Sequence, residues 1–252
     1  MLDVIRARWR QGYRTMRWPK GPAPALPERF AGRPQIGDRP CPADCRRCME
    51  ACPTAALRAE GGSVCLDTGR CLFCRACEQA CPQGTIRFTQ EVRLGAALRE
   101  DLVVRPGSPA FAPCLVEQAR RLFSRSLKLR QVSAGGCNAC EADSNVLGTL
   151  AWDMGRFGIQ FVASPRHADG LCITGPVPAN MRTALLKTYE AVPGPKVVIA
   201  VGSCAIGGGP YRDHPEVHNG ADRLIPVDLY VPGCPPHPLT ILSALLAFLG
   251  RG

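Results

Sequence analysis

The feature that most constrains this chain is the spacing of its cysteines, of which there are 15 among 252 residues. Cys71, Cys74, Cys77 and Cys81 are separated by two, two and three residues, and Pro82 follows the last of them. Three thiolates at this spacing wrap one iron–sulfur cubane in a tight loop, and the fourth reaches a second cluster. A zinc knuckle usually has paired Cys-x2-Cys units without the third cysteine and the proline. The spacing therefore favours iron–sulfur ligation over zinc.

A second cysteine group, between Cys41 and Pro53, repeats this pattern with one additional residue between its first two cysteines. The two segments indicate an internal duplication, in which each half gives three ligands to one cluster and its last cysteine to the other. This crossing rule predicts two ligand sets, one of Cys41, Cys45, Cys48 and Cys81 and the other of Cys52, Cys71, Cys74 and Cys77. Two clusters in one small domain conduct electrons and do not by themselves catalyse a reaction.

Four further cysteines are spread over three glycine-containing loops in the second half of the chain. Cys137 and Cys140 form a Cys-x2-Cys pair, whereas Cys204 and Cys234 each stand alone near a glycine. Each loop borders an apolar run, and glycine lets the backbone approach an inorganic cluster closely. Together the four predict a third cluster. Taken singly, Cys204 and Cys234 read instead as small buried residues at strand ends.

Apolar runs bounded by glycine and proline alternate with helical periodicity after residue 131. Residues 197–201 are a continuous, mostly β-branched run, as expected of a strand covered on both faces. Further strands are predicted at 159–163, 170–174 and 224–231, and helices at 179–189 and 238–249. This alternation predicts an α/β domain over residues 132–252, with a parallel sheet and any site at the carboxyl ends of its strands.

Residues 1–36 are predicted to form a basic amphipathic helix followed by a proline-rich connector. Over residues 1–18 apolar side chains recur three or four positions apart, at Leu2, Ile5, Trp9, Tyr13 and Met16. Such a helix packs either on its own domain or on anionic lipid or a membrane-embedded partner, and the sequence leaves both interpretations open. Residues 37–93 contain the paired cysteine segments, and the apolar spacing of residues 94–131 predicts a linking helix.

The positive charge of the chain is concentrated near its N-terminus. Lys and Arg outnumber Asp and Glu by 31 to 21, and residues 1–36 alone contain eight basic and two acidic residues. A zinc-stabilised nucleic-acid-binding module is therefore the weakest hypothesis, and we expect no nucleic-acid partner. No apolar run reaches the roughly 18 to 20 residues of a membrane-spanning helix. Arginines interrupt every candidate signal peptide, so we expect reduced cysteines that are available to metal.

Four motifs in the second half of the chain resemble one family. They are Ala-Gly-Gly-Cys-Asn-Ala-Cys-Glu at 134–141, Ile-Thr-Gly-Pro-Val at 173–177, Ala-Val-Gly-Ser-Cys-Ala-Ile-Gly-Gly-Gly at 200–209 and Val-Pro-Gly-Cys-Pro-Pro-His-Pro at 231–238. Residues 129–249 are similar to the 20 kDa small subunit shared by energy-converting nickel–iron hydrogenases, formate hydrogenlyase and respiratory complex I. Residues 1–105 resemble the ferredoxin-like subunit that accompanies it, so the chain looks like a fusion of two subunits.

The resemblance implies a flavodoxin-like α/β domain, preceded by an α+β dicluster ferredoxin domain, with three 4Fe-4S clusters in all. The proximal cluster would face the nickel–iron site of a partner large subunit, held by Cys137, Cys140, Cys204 and Cys234. The Cys-x2-Cys spacing resembles that of the hydrogenase branch of the family. In the complex I branch the two corresponding cysteines are adjacent. A glutamate at the position of Glu141 would lie between cluster and large subunit, as a proton relay or as an ordinary hydrogen-bonded carboxylate.

These features predict an oxidoreductase subunit that transfers electrons within a membrane-associated, formate-hydrogenlyase-like nickel–iron hydrogenase. Its expected partners are the hydrogenase large subunit, membrane-embedded subunits and a donor subunit that oxidises formate or carbon monoxide, at the cytoplasmic face of the cell membrane. The alternative is the equivalent subunit of a complex-I-like complex without nickel. Among the remaining cysteines, Cys65 and Cys172 are expected in the core and Cys114 has no assigned role, while His237 is expected near the third cluster.

Overall fold

The computed structural model describes residues 2–42, 44–110 and 116–251. Cys114, and the part of the predicted linking helix at residues 111–115, lie outside these ranges. The strands of the described residues form three sheets, of two, three and five strands. The two smaller sheets lie in the first half of the chain and the largest in the second. None of the described helices is long and apolar enough to cross a membrane.

The N-terminal helix α1 (Leu2–Gln11) has no buried residue. Its apolar side chains point into solvent, with exposed fractions of 82%, 61% and 89% for Leu2, Ile5 and Trp9. The helix is shorter than the predicted span, because Gly12 adopts a left-handed conformation with φ of +65° that ends it. The chain is then held by the C-terminal domain, since the Met16 amide donates to the Ala151 carbonyl at 2.8 Å.

The paired cysteine segments fold into a small α+β unit, as predicted. Strand β1 (Pro34–Ile36) pairs antiparallel with β4 (Ile86–Phe88), and a second antiparallel sheet has the order β2 (Leu57–Glu60), β3 (Ser63–Asp67), β5 (Val103–Val104). Two short helices follow the cysteine loops, α2 (Arg47–Glu50) and α3 (Ala76–Ala80). The core of the unit combines apolar side chains such as Leu66 and Ile86 with buried cysteines.

The prediction of a linking helix over residues 94–131 was wrong for most of that span. The helix there, α4 (Glu117–Phe123), covers seven residues, whereas Val103–Val104 pairs with β3 and Leu127–Ser133 is the strand β6. Leu127 and Leu129 alternate with more exposed residues and are both fully buried, which is the period of a strand and not of a helix. The C-terminal domain therefore begins at residue 127 and not at 132.

The C-terminal domain is built on a five-stranded parallel sheet of order β7-β6-β8-β9-β10. The strands after β6 are β7 (Ile159–Phe161), β8 (Gly170–Thr174), β9 (Val197–Val201) and β10 (Leu229–Val231). Every neighbouring pair is parallel. Counted within the domain, the order is 2-1-3-4-5, which is the flavodoxin-like arrangement. The predicted fold class is thus confirmed.

Helices cover both faces of this sheet, as the continuous apolar strands predict. The remaining helices are α5 (Ala139–Asn145), α6 (Ala179–Ala191), α7 (Ser203–Gly207) and α8 (Pro238–Phe248). On one face α8 buries nearly all of its residues against side chains such as Leu129 and Ile199. On the other face Leu185 of α6 packs with Ile173 and Val198. The carboxyl ends of β6, β9 and β10 consequently share one edge.

The segment after β4 ties the two halves of the molecule together. Ala96 and Tyr230 exchange two backbone hydrogen bonds of 3.0 and 2.9 Å, so residue 96 pairs with the edge strand β10. Three residues later, the Arg99 guanidinium donates two hydrogen bonds to the Asp67 carboxylate, at 2.9 and 2.7 Å. These contacts fix the ferredoxin-like unit against the outermost strand of the parallel sheet.

Candidate iron–sulfur centres

The first predicted ligand set lines one small cavity of the ferredoxin-like unit. Its walls contain Cys41, Cys45, Cys48 and Cys81. Burial raises the pKa of the Cys41 and Cys48 thiols, and the neighbouring Cys81 thiol raises both further. The pKa of Cys81 itself is lowered, because backbone amides, first that of Thr85 at 3.3 Å, outweigh the effect of its burial. We refer to these four thiols as group one.

The second predicted set, group two, consists of Cys52, Cys71, Cys74 and Cys77. Burial raises the pKa of Cys77 to about 12, and the Cys52 thiol adds to that effect. The pKa of Cys71 is raised above the ordinary range, chiefly by burial. The sulfur atoms of Cys52 and Cys71 accept backbone N–H groups of Ala56 and Phe73, each at 3.2 Å. In group two, Cys71 and Cys77 are thus buried, Cys52 is partly buried and Cys74 is exposed, and backbone N–H groups already bond two of the four sulfur atoms.

The third predicted set, group three, gathers where three strands of the parallel sheet end. Cys137, Cys204 and Cys234 follow β6, β9 and β10 by three or four residues, and Cys140 lies in α5. Burial raises the pKa of Cys204 to about 12, with further contributions from the thiols of Cys234 and Cys137. The pKa of Cys140 rises still more, first by burial and then through Cys204. The structure therefore brings together the four cysteines that the sequence grouped.

The backbone around group three leaves a cradle that a side chain would fill. Gly202 has a φ of +90°, and a Cβ atom built on it would lie 2.5 Å from the sulfur of Cys140. A Cβ atom on Gly209 would lie 2.6 Å from the sulfur of Cys204. Both distances are too short for a real contact, so each sulfur lies against bare backbone. Close approach of backbone to thiolates is what a cubane requires, and the residues present fit such a cluster.

The Cys-x2-Cys loops of groups two and three reach a left-handed backbone without glycine. Arg75 and Asn138 have φ values of 63° and 70°, and each directly precedes a short helix that carries a ligand cysteine. Phe73 is also left-handed, with a φ of 56°. These conformations are costly for residues with a Cβ atom, and such outliers concentrate at functional sites. The cysteine spacing alone did not indicate them.

Group two lies between the other two groups. Cys41 and Cys48 of group one pack in one cluster with Cys52, Cys71 and Cys77 of group two. On the other side, the hydroxyl of Ser203, the residue before Cys204 of group three, donates to the Cys71 carbonyl at 2.6 Å. In the part of the chain that the structure describes, no three His, Cys, Asp or Glu side chains meet closely enough to hold a single metal ion.

Glu141 is buried beneath group three, with 5% of its surface exposed. The hydroxyl groups of Ser133 and Thr174 both donate to its Oε1 atom at 2.6 Å. Burial raises the pKa of this carboxyl group, but the two hydroxyl donors outweigh it and the net pKa is lowered. The sequence pointed to Glu141 but not to the two hydroxyls that hold it as a carboxylate.

The structure also shows where the other residues noted in the sequence lie. Cys65 and Cys172 are buried in β3 and β8, as expected of core residues. His237 lines the same opening as Cys234, where its Nδ1 atom accepts the Leu239 amide at 3.1 Å and caps α8. Sequence reasoning missed Ser203, whose hydroxyl donates to the Cys71 carbonyl at 2.6 Å. Only its position next to Cys204 could have drawn attention to it.

Two family descriptions match this chain. Residues 137–248 match the family described as NADH ubiquinone oxidoreductase, 20 Kd subunit, and residues 64–87 match the 4Fe-4S binding domain. A probable membrane-bound hydrogenase subunit of Pyrococcus furiosus is 40% identical over 136 residues, which is 54% of this chain and 81% of that protein.

Two further relatives represent both branches of the family. Formate hydrogenlyase subunit 7 of Escherichia coli is 43% identical over 130 residues, covering 51% of this chain and 50% of that protein. An NADH-quinone oxidoreductase subunit of Bacteroides thetaiotaomicron is 43% identical over 102 residues, covering 40% of this chain and 52% of that protein. The chain thus spans about half the length of each of these two.

Proposed function

This chain belongs to the family of the 20 kDa subunit of NADH ubiquinone oxidoreductase, and from that premise we propose that it carries electrons to the large subunit of a membrane-associated nickel–iron hydrogenase. It is an iron–sulfur electron-transfer subunit of the kind found in hydrogenases and complex-I-like complexes. The observation that carries the finer proposal is the succession of three thiol groups, in which group two lies between groups one and three.

Each thiol group would hold one 4Fe-4S cluster, giving three clusters in all. A bound cubane supplies a site that takes up and releases single electrons. The chain's own residues bury the thiols, exclude water and donate backbone N–H groups to sulfur, as the Ala56 and Phe73 amides do in group two. Such hydrogen bonds and burial set the reduction potential of a cluster.

The large subunit would cover the surface beside group three. Cys137 and Cys234 are exposed in this chain, whereas the other two members of their group are partly buried. A partner that closes over them would shield the third cluster from water. Glu141 would then relay protons toward that interface, a role to which Ser133 and Thr174 contribute by holding its carboxylate. An electron donor, such as a formate- or carbon-monoxide-oxidising subunit, would meet the chain at group one.

Helix α1 supports peripheral attachment to the cytoplasmic face of the cell membrane. Its apolar residues are unpartnered in this chain, and arginines occupy much of the rest of the helix. Such a helix fits anionic lipid or a membrane-embedded subunit. Removing residues 1–11 tests this attachment cleanly, because Thr15 and Met16 keep their contacts with the Leu150 and Ala151 carbonyls. Unchanged membrane association of the truncated chain would refute it.

A second candidate function is the equivalent role in a complex-I-like complex without nickel. The similarity to an NADH-quinone oxidoreductase subunit is as high in percentage identity as that to formate hydrogenlyase subunit 7. The Cys-x2-Cys pair at Cys137 and Cys140 favours the hydrogenase branch. The nickel content of the purified complex separates the two functions, since only the hydrogenase would contain it.

The central experiment measures iron, sulfide and zinc in anaerobically purified protein, with paramagnetic resonance after reduction. Three cubanes predict about twelve irons per chain. Cys71→Ala should lower the content by about four irons. Cys65→Ala is the matched control, because this cysteine is equally buried but belongs to no group, and it should leave the content unchanged. Zinc in place of iron, or equal iron loss in both variants, would overturn the proposal.

A further inference from the structure

Ser203 joins two of the thiol groups through a single buried hydroxyl. Only 1% of this residue is exposed. Its Oγ atom donates to the Cys71 carbonyl at 2.6 Å and lies 3.0 Å from the Gly233 carbonyl, to which the Ser203 amide also donates at 2.9 Å. Cys71 belongs to group two, whereas Gly233 precedes Cys234 of group three and Ser203 itself precedes Cys204. One side chain thus connects its own ligand loop to two others.

The backbone on either side of this hydrogen bond is packed without spare room. A Cβ atom on Gly69 would lie 2.7 Å from the Cγ2 atom of Ile206, in the same helix as Ser203. A Cβ atom on Gly207 would lie 3.1 Å from the Gly69 carbonyl oxygen. The turn that leads into Cys71 therefore lies directly on α7. In such a dry contact, an unmade hydrogen bond is costly and a formed one is strongly directional.

No other side-chain hydrogen bond of the described residues links a ligand loop of group two to one of group three. The Asp67 carboxylate, which accepts the Gly69 amide at 2.9 Å, holds the same turn from the ferredoxin-like side. Ser203 holds it from the side of the parallel sheet.

We propose that Ser203 is a positioning residue that fixes the separation between groups two and three. The inference rests on the proposed function, because the separation matters only if both groups hold clusters. It adds to that function a residue that ligates nothing. The hydroxyl is the active part, so an alanine, which removes only the oxygen, should lose the effect.

The test uses the magnetic interaction between neighbouring reduced clusters, which falls steeply with their separation. Full-length protein and its variants are reduced anaerobically and compared by paramagnetic resonance. Clusters in groups one and two would interact in every variant, so the readout is the broadening of the group-three signal. We expect the wild type to show this broadening and Ser203→Ala to lose it. In Gly69→Ala the added methyl group would push the turn before Cys71 away from α7, so this variant should lose the broadening as well. Ser243→Ala, which removes a buried hydroxyl from α8, is the matched control and should behave as the wild type.

Hydrogen exchange supplies a readout that does not depend on the clusters. Loss of one hydrogen bond at the contact should speed exchange of the amides around residues 69–73 and 202–207 by roughly fivefold. Full iron content with unchanged broadening and exchange in Ser203→Ala would overturn the inference and leave the proposed function standing. Loss of iron from Ser203→Ala would also overturn it, since the residue would then act on cluster binding. A wild type without about twelve irons would instead overturn the proposed function.

Discussion

The cradle around group three makes a sharp prediction for Gly202→Ala. The added Cβ atom would lie 2.5 Å from the Cys140 sulfur, which would have to move out of its place in group three. The φ of +90° at this position adds backbone strain for any residue with a side chain. We therefore expect the variant to lose the third cluster and to keep the other two.

The expected loss in the free energy of unfolding has two parts, backbone strain and overpacking, and a control variant can separate them. A left-handed alanine costs roughly 1–2 kcal/mol, and overpacking costs roughly 1–3 kcal/mol more. Gly107→Ala is the matched control, because Gly107 also has a left-handed φ, of +71°, but a Cβ atom on it would meet nothing within 4 Å. Only the first part of the cost should appear there.

The assay combines iron content with the free energy of unfolding by denaturant, both under anaerobic conditions. Gly202→Ala should hold about eight irons instead of about twelve and should be less stable than Gly107→Ala by roughly 1–3 kcal/mol. Gly107→Ala should keep its full iron content. If both variants kept all their iron and unfolded alike, the reasoning from bare backbone against sulfur would be refuted.

Two further predictions concern stability. Arg99→Lys should lower the free energy of unfolding by about 2 kcal/mol, because lysine cannot form the paired hydrogen bonds to Asp67. The control is Arg105→Lys, at an exposed pair with Glu60, which should lower it by under about 1 kcal/mol. An equal loss in both variants would contradict the argument. Burial lowers the pKa of His237 from 6.5, so folding favours its neutral form and stability should decline as pH falls below about 6.5. His237→Asn keeps an acceptor for the Leu239 amide and should flatten this decline in the melting temperature. A decline of unchanged slope in this variant would contradict the argument.

The cysteine groups and the fold class could be predicted because their signals are local or periodic. A cubane loop needs its thiols a few residues apart, so the spacing from Cys71 to Cys81 carries the chemistry directly. The continuous apolar run at 197–201 likewise requires cover on both faces. The structure bears out the expected sheet and places the four cysteines of group one around one cavity. That the three groups are ligand sets stays a prediction.

The prediction of a linking helix was wrong because residues 94–131 contain both a helical and a strand-like spacing of apolar residues. Leu115, Ala119 and Leu122 fit a helical spacing, but Leu127 and Leu129 follow the two-residue period of a strand. Which period wins depends on the neighbours that β6 finds in β7 and β8, and these lie tens of residues away in the chain. Ser203 and Arg99 escaped notice for the same reason. Their partners, Cys71 and Asp67, are distant in sequence, and serine and arginine are ordinary surface residues in most chains.

The pairing of Ala96 with Tyr230 has a consequence for how the molecule behaves in crowded surroundings. Strand β10 is the outermost of its sheet, and a bare outermost strand invites another polypeptide to add to it. Here the chain occupies that place with its own passing segment, satisfying the amide and carbonyl groups of Tyr230. The segment that connects the two halves thereby protects the edge strand from self-association. Because both halves belong to one polypeptide, they are also always present in equal amounts.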